Sequence, residues 1–478
     1  MVYQTMEIPE GPDAATSTGA VPDGAATRTL AEFVAGTPVA AIPAAAIAAA
    51  RAAVVDTLGV ALAGLDEPPS RIAATAALAP GAAGLAPLWG RGAATSPADA
   101  AFANAVAGHA LDFDDSLPSL CGHPSVPLCA TGLAVAAALS RRGRPVDGTT
   151  FLAAFVAALE VAGKLSRALG HGHYGKGWHP TATLGVFSAT AMACRLQGLD
   201  ARTTAQAFGL AAAQSGGMVR NFGSMAKPFQ AGHAARAAIV AADLAAAGMT
   251  AAEDIFDGPR GYLAAYGDGP PAPMPVPGDP WEIFVPGIYV KRWPCCYGNH
   301  RALAGIFDLV ARHGIAADDV RGVAVGFLPD ADKALIHRAP NDGLSAKFSI
   351  EYCAAAALVD GRVTLASFED AAVRRPEVQA LMTRVRRVPM PGEGSFSGVV
   401  GWTDVAIDTV RGRFEVRVDH TPGSPEAPMT EADRSDKFRG CVTGRLGAAG
   451  AERLFAALGR LDRMSDVAAL AALMEPAP

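Results

Sequence analysis

Apolar residues recur at helical spacing along the first half of the chain. Near the start, Ile47, Val54, Leu58 and Leu62 follow one another at spacings that share one helix face. The same alanine-rich pattern returns at 99–112, 126–141, 149–168, 181–196, 203–214 and 231–247. Small side chains allow helices to approach closely, so the pattern predicts a compact bundle of many helices.

The periodicity changes after a proline-rich stretch. Residues 267–280 read GDGPPAPMPVPGDP, which cannot propagate a helix and predicts a domain boundary. Beyond it, alternating apolar residues predict strands at 323–327, 405–407 and 414–418, with helical segments at about 299–313 and 345–358. Arg411 and Gly412 have the character of a hairpin turn between the last two strands.

These patterns predict a mainly α fold with an inserted domain. We expect an all-helical domain formed by residues 28–268 and 429–478, and a smaller α+β lid domain formed by 269–428. Residues 1–27 are rich in Pro, Gly, Ser, Thr and Ala, and we expect a flexible tail. Thr29 and Glu32 have the spacing of a capping box and predict the first helix start.

Composition excludes several classes of protein. Of the 478 residues, 50% are hydrophobic and 18% are charged, which is ample apolar surface for a globular core. The net charge of -6, with both signs interspersed, argues against nucleic-acid binding. The uncharged run 33–50 contains Pro38 and Pro43, so we expect a buried bundle helix and no membrane partner.

The N-terminal residues and the cysteines predict the compartment. Residues 1–26 contain no Lys or Arg and no apolar core, so they do not form a signal peptide. Seven cysteines, with no CxxC pair, indicate reduced thiols. We therefore expect a cytoplasmic protein.

The first cluster of candidate chemical groups contains three carboxylates within four residues. Asp112, Asp114 and Asp115 would repel one another, so at least one must be paired, metal-bound or protonated. For Asp114 and Asp115, a solvated loop that caps a turn is an equal alternative. For Asp112, and for His123 shortly after it, a functional role is favoured.

The second cluster is rich in histidine and glycine. His179 directly precedes Pro180 and a predicted helix start, where backbone N–H groups and the helix dipole favour anions. Together with His171 and His173 it could ligate zinc, but histidine spacing alone is weak evidence and we expect no metal. His171 and His173 are expected to be solvated.

Three further residues stand in short polar motifs. Lys227 precedes Pro228, which places its ammonium at the start of a helix and favours an anion site. Lys291 follows the proline-rich stretch in KRWPCCYGNH, where a basic linker is the alternative. Tyr352 lies in AKFSIEY at a predicted helix start, and a core aromatic is the alternative.

Taken together, these residues suit one kind of substrate. His123, His179, Lys227 and Lys291 are actual or potential cations within an acidic protein, and such a cluster fits a small di- or tricarboxylate. It also fits the enediolate-like carbanion left when a proton or carbon dioxide departs beside a carboxylate. Histidine or tyrosine can then move a proton, and this chemistry requires no cofactor.

The chain resembles the MmgE/PrpD family. The motifs that carry the resemblance are LDFDD and GHPS within 111–125, GWHPT at 177–181, the segments 223–250 and 254–262, KRWPCCYGNHRA at 291–302, AKFSIEYCAAAALVDG at 346–361 and PMTEADRSDKF at 428–438. The resemblance implies a helical domain with an α+β lid, a homodimer, and catalysis without metal or organic cofactor. It assigns active-site roles to Asp112, Ser116, His123, His179, Lys227, Lys291 and Tyr352.

Within this resemblance, Ser116, His123, Lys227 and Lys291 bind the substrate, and His179 and Tyr352 lead as proton-transfer groups. The sequence therefore predicts a cofactor-independent lyase, either a dehydratase or a decarboxylase, that acts on a small di- or tricarboxylate.

An epimerase or isomerase that uses the same intermediate is the nearest alternative to the lyase, and a non-catalytic carboxylate-binding homologue is a third. The DxDD pattern of terpene cyclases is disfavoured, because only 6% of residues are aromatic.

Overall fold

The structure is a computed structural model that describes residues 19–78, 84–392 and 401–476. These residues form nineteen α-helices and six β-strands, so the mainly α prediction is confirmed. The chain divides into two compact units. The larger unit consists of two segments of the chain, the first ending at Val290 and the second beginning at Thr430. The smaller unit is formed by the residues between them, Lys291–Met429.

The first segment of the larger unit is built from alanine-rich helices. They are α1 (Ala26–Gly36), α2 (Ala44–Ala63), α3 (Pro68–Ala77), α4 (Pro97–His109), α5 (Ser125–Ser140), α6 (Gly148–Leu169), α7 (Gly172–Gly175), α8 (Pro180–Thr183), α9 (Gly185–Gln197), α10 (Ala201–Ala212), α11 (Ala226–Ala246) and α12 (Tyr262–Tyr266). A short antiparallel pair, β1 (Ala86–Leu88) and β2 (Ala93–Thr95), lies between α3 and α4. Helices α5, α6 and α9 are buried along almost their whole length and form the core.

In the smaller unit, the described residues form five α-helices and a four-stranded sheet. The helices are α13 (His300–His313), α14 (Gly343–Ala346), α15 (Ile350–Asp360), α16 (Asp370–Val373) and α17 (Pro376–Met382), and the strands are β3 (Val320–Phe327), β4 (Val385–Pro389), β5 (Thr403–Thr409) and β6 (Gly412–Val418). The strand order is β4-β3-β5-β6, with β3 parallel to β4 and antiparallel to β5. Strands β3, β5 and β6 cover the three segments with strand alternation, and Thr409 pairs with Gly412 at the hairpin.

The C-terminal part of the chain returns to the larger unit as α18 (Glu431–Leu458) and α19 (Leu470–Leu473). Helix α18 is broken at Gly447, whose φ of 66° is left-handed. Its first half packs against α2, where a Cβ on Gly59 would lie 2.8 Å from the Phe438 ring. The absence of a side chain at Gly59 therefore lets the two helices approach closely.

The beginning of the chain is more ordered than the sequence predicted. Residues 1–18 of the expected tail lie outside the described residues, but Val21 is buried and its N–H donates to the Met274 carbonyl at 2.8 Å. Helix α1 starts at Ala26, and the Asp257 carboxylate accepts the N–H groups of Ala26 and Thr27 at 2.8 and 3.0 Å. The predicted start at Thr29 was wrong because a distant carboxylate caps the helix.

Residues 269–290, assigned to the lid domain from the sequence, belong to the larger unit in the structure. A buried glutamate on α6 holds this segment, because Glu160 accepts the N–H groups of Gly278 and Glu282 at 2.8 and 2.6 Å. The Glu282 carboxylate in turn pairs with Lys164 at 2.9 Å. The proline-rich stretch therefore interrupts helix formation without ending the compact unit.

Two helices, Ala44–Asp66 and Gly148–Leu169, are long and apolar enough to cross a membrane by length and composition alone. The second is buried inside the larger unit and carries the paired charges of Glu160 and Lys164. These are features of the core helix of a folded domain.

Two glycine substitutions, expected to change the free energy of unfolding in opposite directions, test the packing of the larger unit. A Cβ on Gly148 would lie 1.5 Å from the Leu461 carbonyl oxygen, so Gly148→Ala forces the C-terminal segment away from α6. We expect it to lower the free energy of unfolding by about 2 kcal/mol. Gly444→Ala, on α18 with nothing within 4 Å, is expected to raise it by about 0.5–1 kcal/mol. Denaturant titration measures both, and equal effects would contradict the packing described.

Candidate active site

The loop between α4 and α5 carries the three neighbouring carboxylates, and all three are buried. Asp112 has a left-handed φ of 52°, which is uncommon for a residue other than glycine. Its Oδ1 accepts a hydrogen bond from Lys227 Nζ at 2.5 Å. The alternative of a solvated loop is therefore wrong for Asp114 and Asp115.

Close packing of two helices brings Lys227 to this loop. Lys227 is the second residue of α11, and its side chain is buried. Further along the same helix, a Cβ on Gly232 would lie 2.6 Å from Val106 and 2.8 Å from the Phe102 carbonyl oxygen, both on α4. Because α4 and α11 touch at this glycine, the start of α11 can lie beside the end of α4, as the Lys227–Asp112 pair requires.

Asp114 is paired with two histidines. Its Oδ2 lies 2.8 Å from His109 Nδ1 and 3.4 Å from His123 Nδ1, while His123 Nε2 lies 3.6 Å from Asp112 Oδ1. His109 was not predicted from the sequence, although it lies only three residues before Asp112. The two imidazole rings pack edge to face with centroids 4.5 Å apart.

Unlike Asp112, which pairs with Lys227, Asp115 is hydrogen-bonded to Ser125 and its pKa is raised. Its carboxylate accepts hydrogen bonds from the Ser125 hydroxyl and, at 3.4 Å, from the Ser125 N–H. Burial raises the pKa of Asp115 to about 8, with Asp56 and Asp114 adding to the shift. Asp112 is thus paired with lysine, Asp114 with histidine, and Asp115 is mostly neutral at pH 7.

His179 lies at the N-terminal cap of α8 and is fully buried. Its backbone N–H donates to the Gly217 carbonyl at 3.0 Å. Its ring stacks on the His109 ring, with centroids 5.9 Å apart. Burial lowers the pKa of His179 well below its usual value, and the nearby His109 and Lys227 lower it further. His179 is therefore a neutral imidazole at pH 7, suited to accept a proton.

The backbone around His123 and Ser116 is fixed by hydrogen bonds. The His123 N–H donates to the Thr181 hydroxyl oxygen at 3.0 Å. Ser116 pairs with Tyr289 in an antiparallel bridge, with N···O distances of 2.9 and 2.8 Å. These bonds hold both ends of the segment 116–123.

His171 and His173, the other two histidines of the motif that contains His179, differ in their exposure to solvent. His171 is exposed, as predicted. His173 is buried, and its ring nitrogens lie 3.0 Å from the Tyr266 carbonyl oxygen and 2.7 Å from the Thr183 hydroxyl. The prediction that His173 is solvated was wrong, because these two partners satisfy the ring inside the unit.

Lys291 and Tyr352 belong to the smaller unit. Both side chains are buried there. The Tyr352 hydroxyl donates to the Ser367 carbonyl oxygen, its ring lies in the hydrophobic core of the unit, and burial raises its pKa. Their catalytic roles stay predictions.

The larger unit therefore brings together four of the predicted residues, Asp112, His123, His179 and Lys227, and adds His109 and Asp114. Four of these six side chains could hold a metal ion, since donor atoms of His109, Asp112, Asp114 and His123 lie within 4.8 Å of one another. The Lys227 ammonium already neutralises Asp112 from within this group, and a second cation would be repelled by it. The donor set therefore fits an ion pair better than a metal.

Comparison with models of known families shows to which family the chain belongs. The chain matches the model of the MmgE/PrpD N-terminal domain over residues 28–274 and that of the MmgE/PrpD C-terminal domain over residues 293–462. It belongs to the MmgE/PrpD family, and the resemblance found in the sequence is confirmed.

Curated relatives point to a class of reaction. The chain is 28% identical to cis-aconitate decarboxylase of Homo sapiens over 397 residues, which cover 80% of each chain. It is 27% identical to the enzyme of the same name from Mus musculus over 410 residues, covering 81% of this chain and 80% of the relative. A cis-aconitate decarboxylase-like protein of Aspergillus oryzae is 25% identical over 480 residues, covering 96% of this chain and 99% of the relative. Family and relatives indicate a lyase enzyme.

The protonation state of His179 can be measured directly. Because burial and neighbouring cations lower its pKa, we expect the imidazole to stay neutral as the pH falls to about 6.5, where a solvated histidine is half protonated. NMR titration of protein labelled in the histidine ring reports this, with His179→Gln assigning the signal. A midpoint at or above pH 6.5 would contradict the site described.

Proposed function

We propose that the protein is a decarboxylase of a small unsaturated tricarboxylate of the cis-aconitate type. The supporting observation is the buried cluster of Asp112, Lys227, His109, Asp114, His123 and His179. The names of the relatives supply the reaction class, and the cluster supplies groups with the charge and protonation that this reaction needs.

Lys227 and His123 are the groups proposed to bind substrate carboxylates. Lys227 carries a positive charge that is buried, at the start of α11, where the helix dipole adds to the attraction for anions. An incoming carboxylate shares Lys227 with Asp112. Such preorganised donors each contribute about 3 kcal/mol to stabilising charge that develops in the transition state.

The proposed reaction breaks the bond between carbon and one carboxylate. Carbon dioxide leaves, and the electron pair of the broken bond is delocalised towards a neighbouring carboxylate as an enediolate-like anion. Lys227 and His123 stabilise this anion until a proton arrives at carbon. A metal or organic cofactor is not needed for this step, and we propose that none takes part.

His179 is the proposed proton-transfer group. In the free protein it is neutral. The negative charge of a bound polycarboxylate favours its protonated form, so it takes a proton from water and, as the imidazolium, donates it to the carbon of the enediolate-like anion. A neutral base next to a cation also suits epimerisation, in which the proton returns to the opposite face of the same carbon, and this is the second candidate function.

Incubation with cis-aconitate in deuterated water, followed by NMR, separates these functions. We expect loss of carbon dioxide and one deuterium on carbon in the product, at a rate unchanged by a chelator. Citrate and 2-methylcitrate in parallel reactions test dehydration. Deuterium exchange without loss of carbon dioxide or water would overturn the lyase proposal in favour of an epimerase, and binding without any turnover would favour a carboxylate-binding protein.

Variants in the same assay test the assigned residues. Lys227→Met and His179→Gln are expected to lower kcat/KM at least about a hundredfold, since each removes a group that acts on the developing charge or the proton. Lys176→Met is the matched control, because Lys176 is half exposed and pairs with Asp268 on the surface. Near-normal rates for Lys227→Met or His179→Gln would contradict the assignment.

A further inference from the structure

Lys437, on α18, contacts the loop that carries Asp112, Asp114 and Asp115. Lys437 Nζ donates to the backbone carbonyl of Phe113 at 3.1 Å and lies 4.0 Å from the centroid of the Phe113 ring. The same nitrogen forms an ion pair with Asp56 Oδ1 at 2.6 Å. Lys437 thus binds the residue that separates Asp112 from Asp114.

This contact is buried and built by two helices. Asp56 lies on α2, and the side chains of Lys437 and Asp56 are only 4% and 9% exposed. The close approach of α18 to α2 at Gly59 and Phe438 sets the position of Lys437. A buried lysine with three partners is a fixed structural support, unlike a lysine on the protein surface.

The loop needs such a support because its conformation is strained. Asp112 is left-handed, and strained residues persist only where their surroundings hold them. The side chains of Asp112 and Asp114 are held by Lys227, His109 and His123. A substrate carboxylate competes for Lys227 and His123, so these bonds weaken when the site is occupied.

Lys437 lies outside that competition. Its bond to the Phe113 carbonyl fixes the peptide between Phe113 and Asp114 whether or not Lys227 is shared with a substrate. We propose that Lys437 is a positioning residue, which keeps Asp112 and Asp114 in place during binding without touching the substrate. The effect on catalysis rests on the proposed function, whereas the effect on the loop does not.

The test removes both partners so that no buried charge is left alone. In D56N/K437M, the cation and its counter-charge are lost together, and methionine cannot donate to Phe113. The control is D66N/R445M: Arg445, which also lies on α18, pairs with an aspartate nearer the surface, Asp66, at 3.0 Å and donates to a backbone carbonyl, that of Gly90, at 2.6 Å. K437R keeps a cation and a donor, and is expected to behave like the wild type.

Hydrogen exchange measures the loop itself. We expect amide exchange in a peptide covering 111–116 to rise at least about tenfold in D56N/K437M, with no change in α5 and no change in the control. If D56N/K437M does not fold, D56N/K437Q replaces it, because glutamine is one bond shorter than lysine and uncharged, so the bond to Phe113 is lost and no buried charge is left alone. Unchanged exchange in the folded variant would overturn the proposal.

Kinetics with cis-aconitate measure the consequence. We expect KM to rise at least about tenfold in D56N/K437M, with K437R and the control within threefold of the wild type. A loss of kcat alone, at wild-type KM, would indicate a merely structural role and overturn the proposal. If the wild type does not turn over cis-aconitate, the proposed function fails, and hydrogen exchange still decides the role of Lys437.

Discussion

The ion pair between Asp112 and Lys227 is the interaction on which the rest of the site depends. Both side chains are buried, and burying two charges is costly unless their geometry and further partners compensate. Here the nitrogen and oxygen lie 2.5 Å apart, and the Lys227 ammonium also lies 5.0 Å from the centroid of the Phe222 ring. The pair keeps a cation available in a site from which water is largely excluded, and such a cation interacts strongly with a substrate anion.

Asp112 and its two neighbouring carboxylates would repel one another if all three were charged and unpaired. Three carboxylates occur within four residues, and each is accommodated in its own way: Asp112 pairs with Lys227, Asp114 is hydrogen-bonded to His109, whose pKa is lowered by burial, and Asp115 is mostly protonated. The same cations and the same burial lower the pKa of His179. The proposed binding and the proposed proton transfer therefore both depend on one charge distribution.

The local patterns of the sequence predicted much of the fold. Helical periodicity placed α5 and α6 to within a few residues, and alternation placed β5 and β6, because both signals depend on neighbours in the chain. Partners far away in the chain were not predictable in this way. Asp257 caps α1 across more than two hundred residues, and Glu160 holds the proline-rich segment in the larger unit.

The residues of the candidate site also differ in whether local sequence patterns could predict them. Asp112, His123, His179 and Lys227 were singled out because their motifs carry polar groups that an alanine-rich bundle does not need. His109 was missed because it ends an apolar helix, and Lys437 because its role is visible only when α18 lies on α2. The neutral state of Asp115 depends on complete burial, which no local pattern reveals.

The central claim is that the buried lysine and histidines form the binding site for substrate carboxylates. A crystal structure with citrate bound tests it most directly. We expect citrate carboxylate oxygens at about 3 Å from Lys227 Nζ and from a ring nitrogen of His123, with His179 facing the ligand carbon. Citrate bound elsewhere, with Lys227 contacting Asp112 alone, would contradict it.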